Sequence, residues 1–133
     1  HNSICIGSDT SVVLGEEILG KPQNTAHAKK MLRQLSNSTH QVMTSVAIVN
    51  SVKQGVTTSI TQVKFKELSE ARIEAYCNTA EPMDKAGAYG IQGLGAIFVD
   101  SIEGSYSGVV GLPLAETSEL LNEFNVKILE ARL

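Results

Sequence analysis

The chain has 133 residues with a formal net charge of −3, and 42% of its residues are hydrophobic. This length is typical of a single domain that folds around its own core without disulfides or a structural metal, and the acidic balance excludes the broad basic surface of a duplex nucleic-acid-binding protein. The apolar runs are far too short to cross a bilayer, so we expect a cytoplasmic protein without a membrane span.

The first predicted strand is short and buried, and it runs from Ser3 to Gly7. It contains Cys5, which we expect, like Cys77 further along, to be a buried thiol of a reducing compartment. The following Ser8-Asp9-Thr10 favours a turn. A carboxylate at the end of a buried strand can hold Mg²⁺ or orient a water against phosphorus. Asp9 is therefore a candidate catalytic and metal-binding residue, with an ordinary turn residue as the alternative.

A tight hairpin is predicted next, with strands over 12–14 and 18–19 and a closing Gly20-Lys21-Pro22. Proline restricts the backbone of this loop, so the Lys21 ammonium is held where it can act as a point charge toward phosphate oxygens. A solvated loop lysine is the alternative interpretation.

The central part of the sequence predicts two helices and a pair of long strands. Asn24 or Thr25 can cap the first helix, and its apolar face comprises Ala28, Met31, Leu32 and Leu35. Alternation and β-branched residues predict an antiparallel pair of strands, Thr39 to Asn50 and Val56 to Glu67. Ser69 can cap the second helix, which directs three side chains inward: Ile73, Tyr76 and Cys77.

The segment from Asp84 to Gly95 reads DKAGAYGIQGLG and is too rich in glycine to be ordinary core. Lys85 stands beside glycine amides that could form an anion-binding nest, and an exposed pair with Asp84 is the alternative. The side-chain amide of Gln92 could match the N3–H and O4 edge of uracil or thymine, or it could bond neighbouring backbone. A dinucleotide fingerprint is excluded, because the glycine spacing is wrong and a strand rather than a helix is predicted to follow.

The last third predicts a strand from Ala96 to Ile102, a segment from Ser107 to Gly111 that crosses back, and a helix that starts near Pro113. The apolar stripe of this helix would pack on the sheet. Strands outnumber helices and alternate irregularly with them. The predicted fold class is therefore α/β, with a mixed twisted β-sheet flanked by helices in one domain over 1–133.

The chain resembles the Maf family of nucleotide pyrophosphatases in five phrases that occur in the family's order: IGSDT, GEEILGKP, MLRQLSNSTHQVMTSVAI, EPMDKAGAYGIQGLGAIFV and GSYSGVVGLPL. The resemblance implies hydrolysis of a nucleoside triphosphate to the monophosphate and pyrophosphate with a divalent metal, Mg²⁺ or Mn²⁺. The DKAGAYGIQG form resembles the branch that acts on dTTP and UTP. The resemblance also implies a mixed α/β fold similar to that of inosine triphosphate pyrophosphatases, and a homodimer.

The resemblance further implies roles for single residues. Asp9 would accept the proton from the attacking water and bind the metal. Five other residues would bind the substrate: Thr10, Lys21, Asp84, Lys85 and Gln92. Of these, Thr10 and Gln92 match positions important for base selection, and the two lysines match positions that face the triphosphate.

The family's opening S-x-S-P-R-R phrase and a later E-K-A phrase are missing from this sequence. We therefore expect 1–133 to be the C-terminal portion of a Maf-like domain that lacks an N-terminal phosphate-binding segment, with impaired catalysis. One alternative is a nucleotide-binding or assembly module without catalytic activity. Another is a truncated product that folds poorly because a sheet edge and apolar surface are exposed.

Overall fold

The computed structural model describes residues 3–129 and contains one antiparallel sheet. Its strands are β1 (Cys5–Leu14), β2 (Glu17–Leu19), β3 (Thr39–Val49), β4 (Gln54–Phe65) and β5 (Val99–Glu103). They lie in the order β2-β1-β3-β4-β5, and each neighbouring pair is antiparallel. The predicted α/β class with a helix-flanked sheet is confirmed. The expected mixture of parallel and antiparallel strands is not seen within the described residues.

Within residues 3–129, four α-helices accompany the sheet: α1 (Thr25–Leu35), α2 (Glu70–Cys77), α3 (Tyr106–Val110) and α4 (Leu114–Asn122). The predicted caps of the first two are confirmed. Asn24 accepts a hydrogen bond from the His27 N–H at 2.8 Å, and Ser69 accepts one from the Arg72 N–H at 3.1 Å. These bonds satisfy backbone donors that have no partner within a first helical turn. Among the described residues, no helix combines the length and apolarity that a membrane span requires.

The core lies on one face of the sheet, which we call the covered face. Alternate residues of β3 from His40 to Ile48 are buried there, as the two-residue period of a strand requires. Val42 belongs to a cluster with α1 and α2, and Val46 and Ile48 belong to a second cluster with the end of α4. The opposite face, called the open face, has exposed apolar side chains such as Val56 and Ile60.

The predicted turn at Ser8-Asp9-Thr10 is wrong. β1 continues through these residues, and its register against β3 is unbroken from Cys5 opposite Val49 to Val13 opposite Gln41. Pairing with a long neighbouring strand outweighs the local turn preference of serine and aspartate. The first half of this strand is also exposed rather than buried, and Cys5 is exposed with it, whereas Cys77 is buried as expected.

Two further element predictions need correction. The strand predicted from Ala96 begins only at Val99, because a 3₁₀ turn occupies Leu94–Phe98. The segment predicted to cross back from Ser107 is the short helix α3. Ser105 caps this helix by accepting a hydrogen bond from the Gly108 N–H at 2.9 Å, and such a cap favours a helical turn over extended backbone.

Candidate functional site

A cavity of about 640 Å³ lies where the covered face of the sheet meets α3 and the glycine-rich segment. Five of the predicted site residues line it: Thr10, Lys21, Asp84, Lys85 and Gln92. Residues far apart in the sequence are thus brought together around one concave space. Its volume lies in the range that small-molecule sites occupy.

Asp9 is the predicted site residue that does not line this cavity. It stands opposite Ser45 in the pairing of β1 with β3, whereas its neighbour Thr10 stands opposite the buried Thr44. Since successive side chains of a strand point to opposite faces, Asp9 lies on the open face and Thr10 on the covered face. Asp9 therefore does not end a strand, and the sheet separates its side chain from the other five candidate residues.

The two cavity lysines are brought together by a backbone hydrogen bond. The N–H of Gly87 donates to the carbonyl of Gly20 at 3.1 Å, which ties the loop of Lys21 to the segment of Lys85. Gly87 has φ of 72°, a conformation that glycine adopts without strain. Because this amide is already used, the anion nest predicted beside Lys85 has at least one donor fewer than expected.

Four of the predicted site residues have side chains that other described residues do not engage: Lys21, Asp84, Lys85 and Gln92. Within residues 3–129, no ion pair is formed by Lys21, Asp84 or Lys85, and the Gln92 amide has no hydrogen-bond partner. All of these residues are exposed. The alternatives of an Asp84–Lys85 surface pair and of a Gln92 amide bonded to backbone are thus not found. Two cations, a carboxylate and an amide remain available to a ligand.

Glu81 organises the glycine-rich segment, and sequence reasoning missed it. Its carboxylate accepts hydrogen bonds from the N–H groups of Leu94 and Gly95, each at 2.9 Å, and from the Tyr76 hydroxyl. Partial burial alone would raise the pKa of Glu81, but the bonds from Tyr76, Gly95 and Leu94 outweigh it and hold the pKa below its ordinary value. We call these residues the Glu81 clamp.

The clamp explains two glycines of the glycine-rich segment. A Cβ at Gly93 would overlap the Glu81 carboxylate, and one at Gly95 would lie 2.9 Å from the Tyr76 hydroxyl. Close approach of the chain to its own carboxylate therefore requires these glycines. Gln92 lies immediately before this anchored turn, so the clamp fixes the backbone from which its amide projects.

Tyr89 forms part of the cavity wall, and its hydroxyl is hydrogen-bonded to His40. The Tyr89 hydroxyl and His40 Nε2 are 2.7 Å apart, and both rings pack edge-on against Phe65. Burial lowers the pKa of His40 to about 4, so its imidazole is neutral at pH 7. His40 Nδ1 is buried without a partner among the described residues. Tyr89 is consequently a packed wall residue with a bonded hydroxyl rather than a mobile stacking lid.

Thr10 is connected to α3 through a buried threonine. Its Oγ1 lies 3.0 Å from Oγ1 of Thr44, and the Thr44 hydroxyl donates to the carbonyl of Gly108 at 2.6 Å. Thr44 is fully buried, whereas Thr10 is partly exposed to the cavity. The connection joins β1, β3 and α3 behind one wall of the site.

Comparison with known proteins identifies the family of the sequence. The sequence profile of the family described as Maf-like protein matches residues 1–124. The chain belongs to the Maf family. Among its Maf relatives, a dTTP/UTP pyrophosphatase of Hahella chejuensis is 55% identical over 125 residues, which are 94% of this chain and 62% of that protein. A dTTP/UTP pyrophosphatase of Shewanella sp. strain MR-7 is 58% identical over 122 residues, which are 92% of this chain and 63% of that protein.

A third Maf relative, the dTTP/UTP pyrophosphatase of Vibrio vulnificus, is 55% identical over 124 residues, which are 93% of this chain and 67% of that protein. The chain thus spans somewhat less than two thirds of the length of the first two relatives and about two thirds of the third. The family assignment made from the five sequence phrases is confirmed.

The metal-binding capacity of this Maf chain is small by itself. No group of three or more His, Cys, Asp or Glu side chains that could hold a metal ion occurs within residues 3–129. Two carboxylates line the cavity, and that of Glu81 is occupied by its N–H and O–H donors, which leaves Asp84. Mg²⁺ is commonly held by one or two carboxylates together with substrate phosphates. The residues present therefore fit a metal that arrives with a triphosphate.

Proposed function

We propose that the cavity of this Maf chain binds a nucleotide substrate, dTTP or UTP. We propose further that the complete protein is a dTTP/UTP pyrophosphatase, which hydrolyses this substrate to the monophosphate and pyrophosphate. The observation that carries the proposal is the convergence of Lys21, Lys85 and Gln92 on one cavity of nucleotide-binding size, with none of their side chains bonded to another residue of the described range 3–129. The names of the relatives at 55–58% identity support the choice of substrate.

The two lysines suit the triphosphate end of such a ligand. Each ammonium is a compact charge on a flexible stem, and two of them can neutralise oxygens of the β- and γ-phosphates. Charge placed there stabilises the pyrophosphate that leaves when the bond between the α- and β-phosphates breaks. We assign this role to Lys21 and Lys85, whose backbones are tied through the Gly87–Gly20 hydrogen bond.

Gln92 suits the base end. Its amide presents a donor and an acceptor side by side, which matches the imide edge of uracil or thymine. The clamp at Glu81 supports this role, because it fixes the backbone on the C-terminal side of Gln92. A fixed backbone lowers the entropy cost of orienting the amide on a ligand.

We propose that Mg²⁺ or Mn²⁺ accompanies the substrate, with Asp84 as the carboxylate that contacts it. When bound, such an ion neutralises phosphate charge and makes pyrophosphate a better leaving group. Asp9 remains our proposed proton acceptor, as the family resemblance implies. Asp9 lies on the open face and outside the cavity, so its role is tested separately from that of Asp84.

Substitution distinguishes Asp9 from Asp84. If Asp9 accepts the proton, Asp9→Asn in a full-length protein abolishes hydrolysis of dTTP while nucleotide affinity is kept. If Asp84 is the essential carboxylate, Asp84→Asn abolishes hydrolysis and Asp9→Asn does not. Quantifying pyrophosphate release and nucleotide binding separately in both variants decides between them.

The central experiment measures pyrophosphate release from dTTP and UTP with Mg²⁺ or Mn²⁺, for this chain and for an N-terminally extended form. Lys85→Met should weaken nucleotide binding by about tenfold or more, since it removes a charge-assisted contact. Lys64→Met is the matched control, because Lys64 lies on the open face near Asp100. Failure of the extended form to hydrolyse any nucleotide contradicts the enzyme proposal, and tight dTTP binding without turnover would support the non-catalytic binding module instead.

We also propose that the protein acts in the cytoplasm as a homodimer. The apolar side chains of the open face support dimerisation, since a second copy would remove them from water. Light scattering on the purified protein should give twice the chain mass, and a monomer at all concentrations would contradict this part of the proposal.

A further inference from the structure

The hydrogen bonds behind Thr10 have a fixed direction. The carbonyl of Gly108 can only accept, so the hydroxyl of Thr44 donates to it. A hydroxyl has one proton and two lone pairs, and Thr44 therefore has no proton left for Thr10. The hydroxyl proton of Thr10 must point to Thr44 across the 3.0 Å that separates their oxygens.

We propose that Thr44 is a positioning residue that makes Thr10 a hydrogen-bond acceptor toward the cavity. The proposal rests on the proposed nucleotide-binding function and adds to it that the ligand group facing Thr10 is a hydrogen-bond donor. Thr10 contacts the ligand in this arrangement, and Thr44 acts only through Thr10.

The surroundings of Thr44 prevent the direction from reversing. Thr44 is fully buried, so no water can supply another donor or acceptor. The backbone of α3 is held in place as well, because the Ser105 N–H donates to Thr61 Oγ1 at 2.9 Å and Gly108 sits against Ser59, where an added Cβ would lie 2.7 Å from Oγ. The Gly108 carbonyl is thus a fixed acceptor.

Thr10 and Gln92 differ in adaptability for this reason. The free amide of Gln92 offers both a donor and an acceptor and can turn to present either one. Thr10 offers an acceptor alone, and a ligand acceptor placed against it would lose a hydrogen bond to water without replacement. Selection between otherwise similar nucleotides should therefore depend on Thr10 more than on Gln92.

Two parts of a pyrimidine nucleotide could supply the donor. One is the ring N3–H of uracil or thymine, which cytosine replaces with a bare acceptor nitrogen; in this case Gln92 bonds O4 and leaves N3–H to Thr10. The other is a sugar hydroxyl, which a fluorine of similar size replaces without a proton. The shared chemistry is an N–H or O–H group that donates to Thr10 Oγ1.

The test measures dissociation constants of nucleotides by calorimetry on this chain with Mg²⁺. It compares UTP with CTP, and dTTP with its 3′-deoxy-3′-fluoro analogue. The wild type should discriminate by about tenfold in at least one pair, the usual effect of one mismatched hydrogen bond. Thr44→Val lets the Thr10 hydroxyl rotate and donate to the ligand. The ratio of the two dissociation constants in the discriminating pair should then lie within about twofold of 1. Thr44→Ser keeps the hydroxyl and should keep the ratio.

The pair that discriminates identifies the donor as base or sugar. A wild-type ratio near one in both pairs, or an unchanged ratio in a folded Thr44→Val variant, overturns the inference. If Thr44→Val does not fold, Thr10→Val replaces it and should lose the ratio as well, and retention there also overturns the inference. Binding of none of the four nucleotides by the wild type refutes the proposed function itself, which is a different result from binding without discrimination.

Discussion

Removal of the Glu81 carboxylate should release the glycine-rich segment without unfolding the domain. In Glu81→Ala, three donors lose their acceptor: the Tyr76 hydroxyl and the N–H groups of Leu94 and Gly95. Hydrogen bonds to a charged group contribute about 1.5–3 kcal/mol each. The Leu94 amide is exposed and can bond water, so mainly the two part-buried donors count, and a loss of about 3–6 kcal/mol in unfolding free energy is expected.

Urea unfolding at pH 7 gives the stability change, and amide hydrogen exchange locates it. Exchange at Leu94 and Gly95 should accelerate far more than exchange in the central strands. Glu74→Ala is the matched control, since this exposed helix glutamate has no hydrogen bond or ion pair from its side chain within the described residues, and its effect should stay within about 0.5 kcal/mol. Unchanged protection of both amides in Glu81→Ala would refute the clamp.

Acidification offers a second measurement of the same interaction. The pKa of Glu81 is held below its ordinary 4.5 in the folded protein. The stabilisation is therefore complete above the unfolded-state pKa and is lost as the pH falls through the folded-state pKa. Glu81→Gln does not titrate and retains one acceptor oxygen, so it should lose less stability in acid than the wild type does.

Three further predictions concern the fold around the site. The pKa of His40 is lowered from 6.5 to about 4, so unfolding takes up a proton between these pH values. The unfolding free energy should therefore fall by up to about 3 kcal/mol as the pH drops from 6.5 to 4. Fluorescence-monitored urea unfolding should show this pH dependence reduced in His40→Gln and retained in His27→Gln. Gly87→Ala should destabilise more than Gly15→Ala in thermal unfolding, because both glycines have positive φ but only Gly87 has neighbours that an added Cβ would crowd. Asn24→Ala should lower the unfolding free energy by about 1 kcal/mol through loss of the α1 cap, measured by urea unfolding with Thr25→Ala as the control.

Elements with strong periodicity were predictable from the sequence. The apolar face of α1 and its Asn24 cap, and the long alternating strands β3 and β4, follow from local patterns that the packing does not override. The continuity of β1 was not predictable in this way. Ser8 and Asp9 favour a turn when read locally, and only pairing with β3 makes them extended.

The candidate site was predictable in its cavity-lining residues, and the residues that support them were not predictable. Lys21, Lys85 and Gln92 stand in recognisable phrases, and the structure places all of them at the cavity. Thr44 is far from Thr10 in the sequence and its partner in α3 is farther still, so no local pattern could reveal their bond. For Glu81, the one available signal was an acidic residue shortly before several closely spaced glycines.

The Glu81 clamp makes evolutionary changes at positions 81 and 93 depend on each other. Any side chain at position 93 would occupy the space of the Glu81 carboxylate. A homologue that replaces this glycine must therefore have a shorter or displaced side chain at position 81, and other acceptors for the N–H groups that the carboxylate no longer bonds. Replacing only one of the two residues gives a destabilised protein, whereas replacing both together avoids this step. Across homologous sequences, the acid and the glycine should therefore be retained together or lost together.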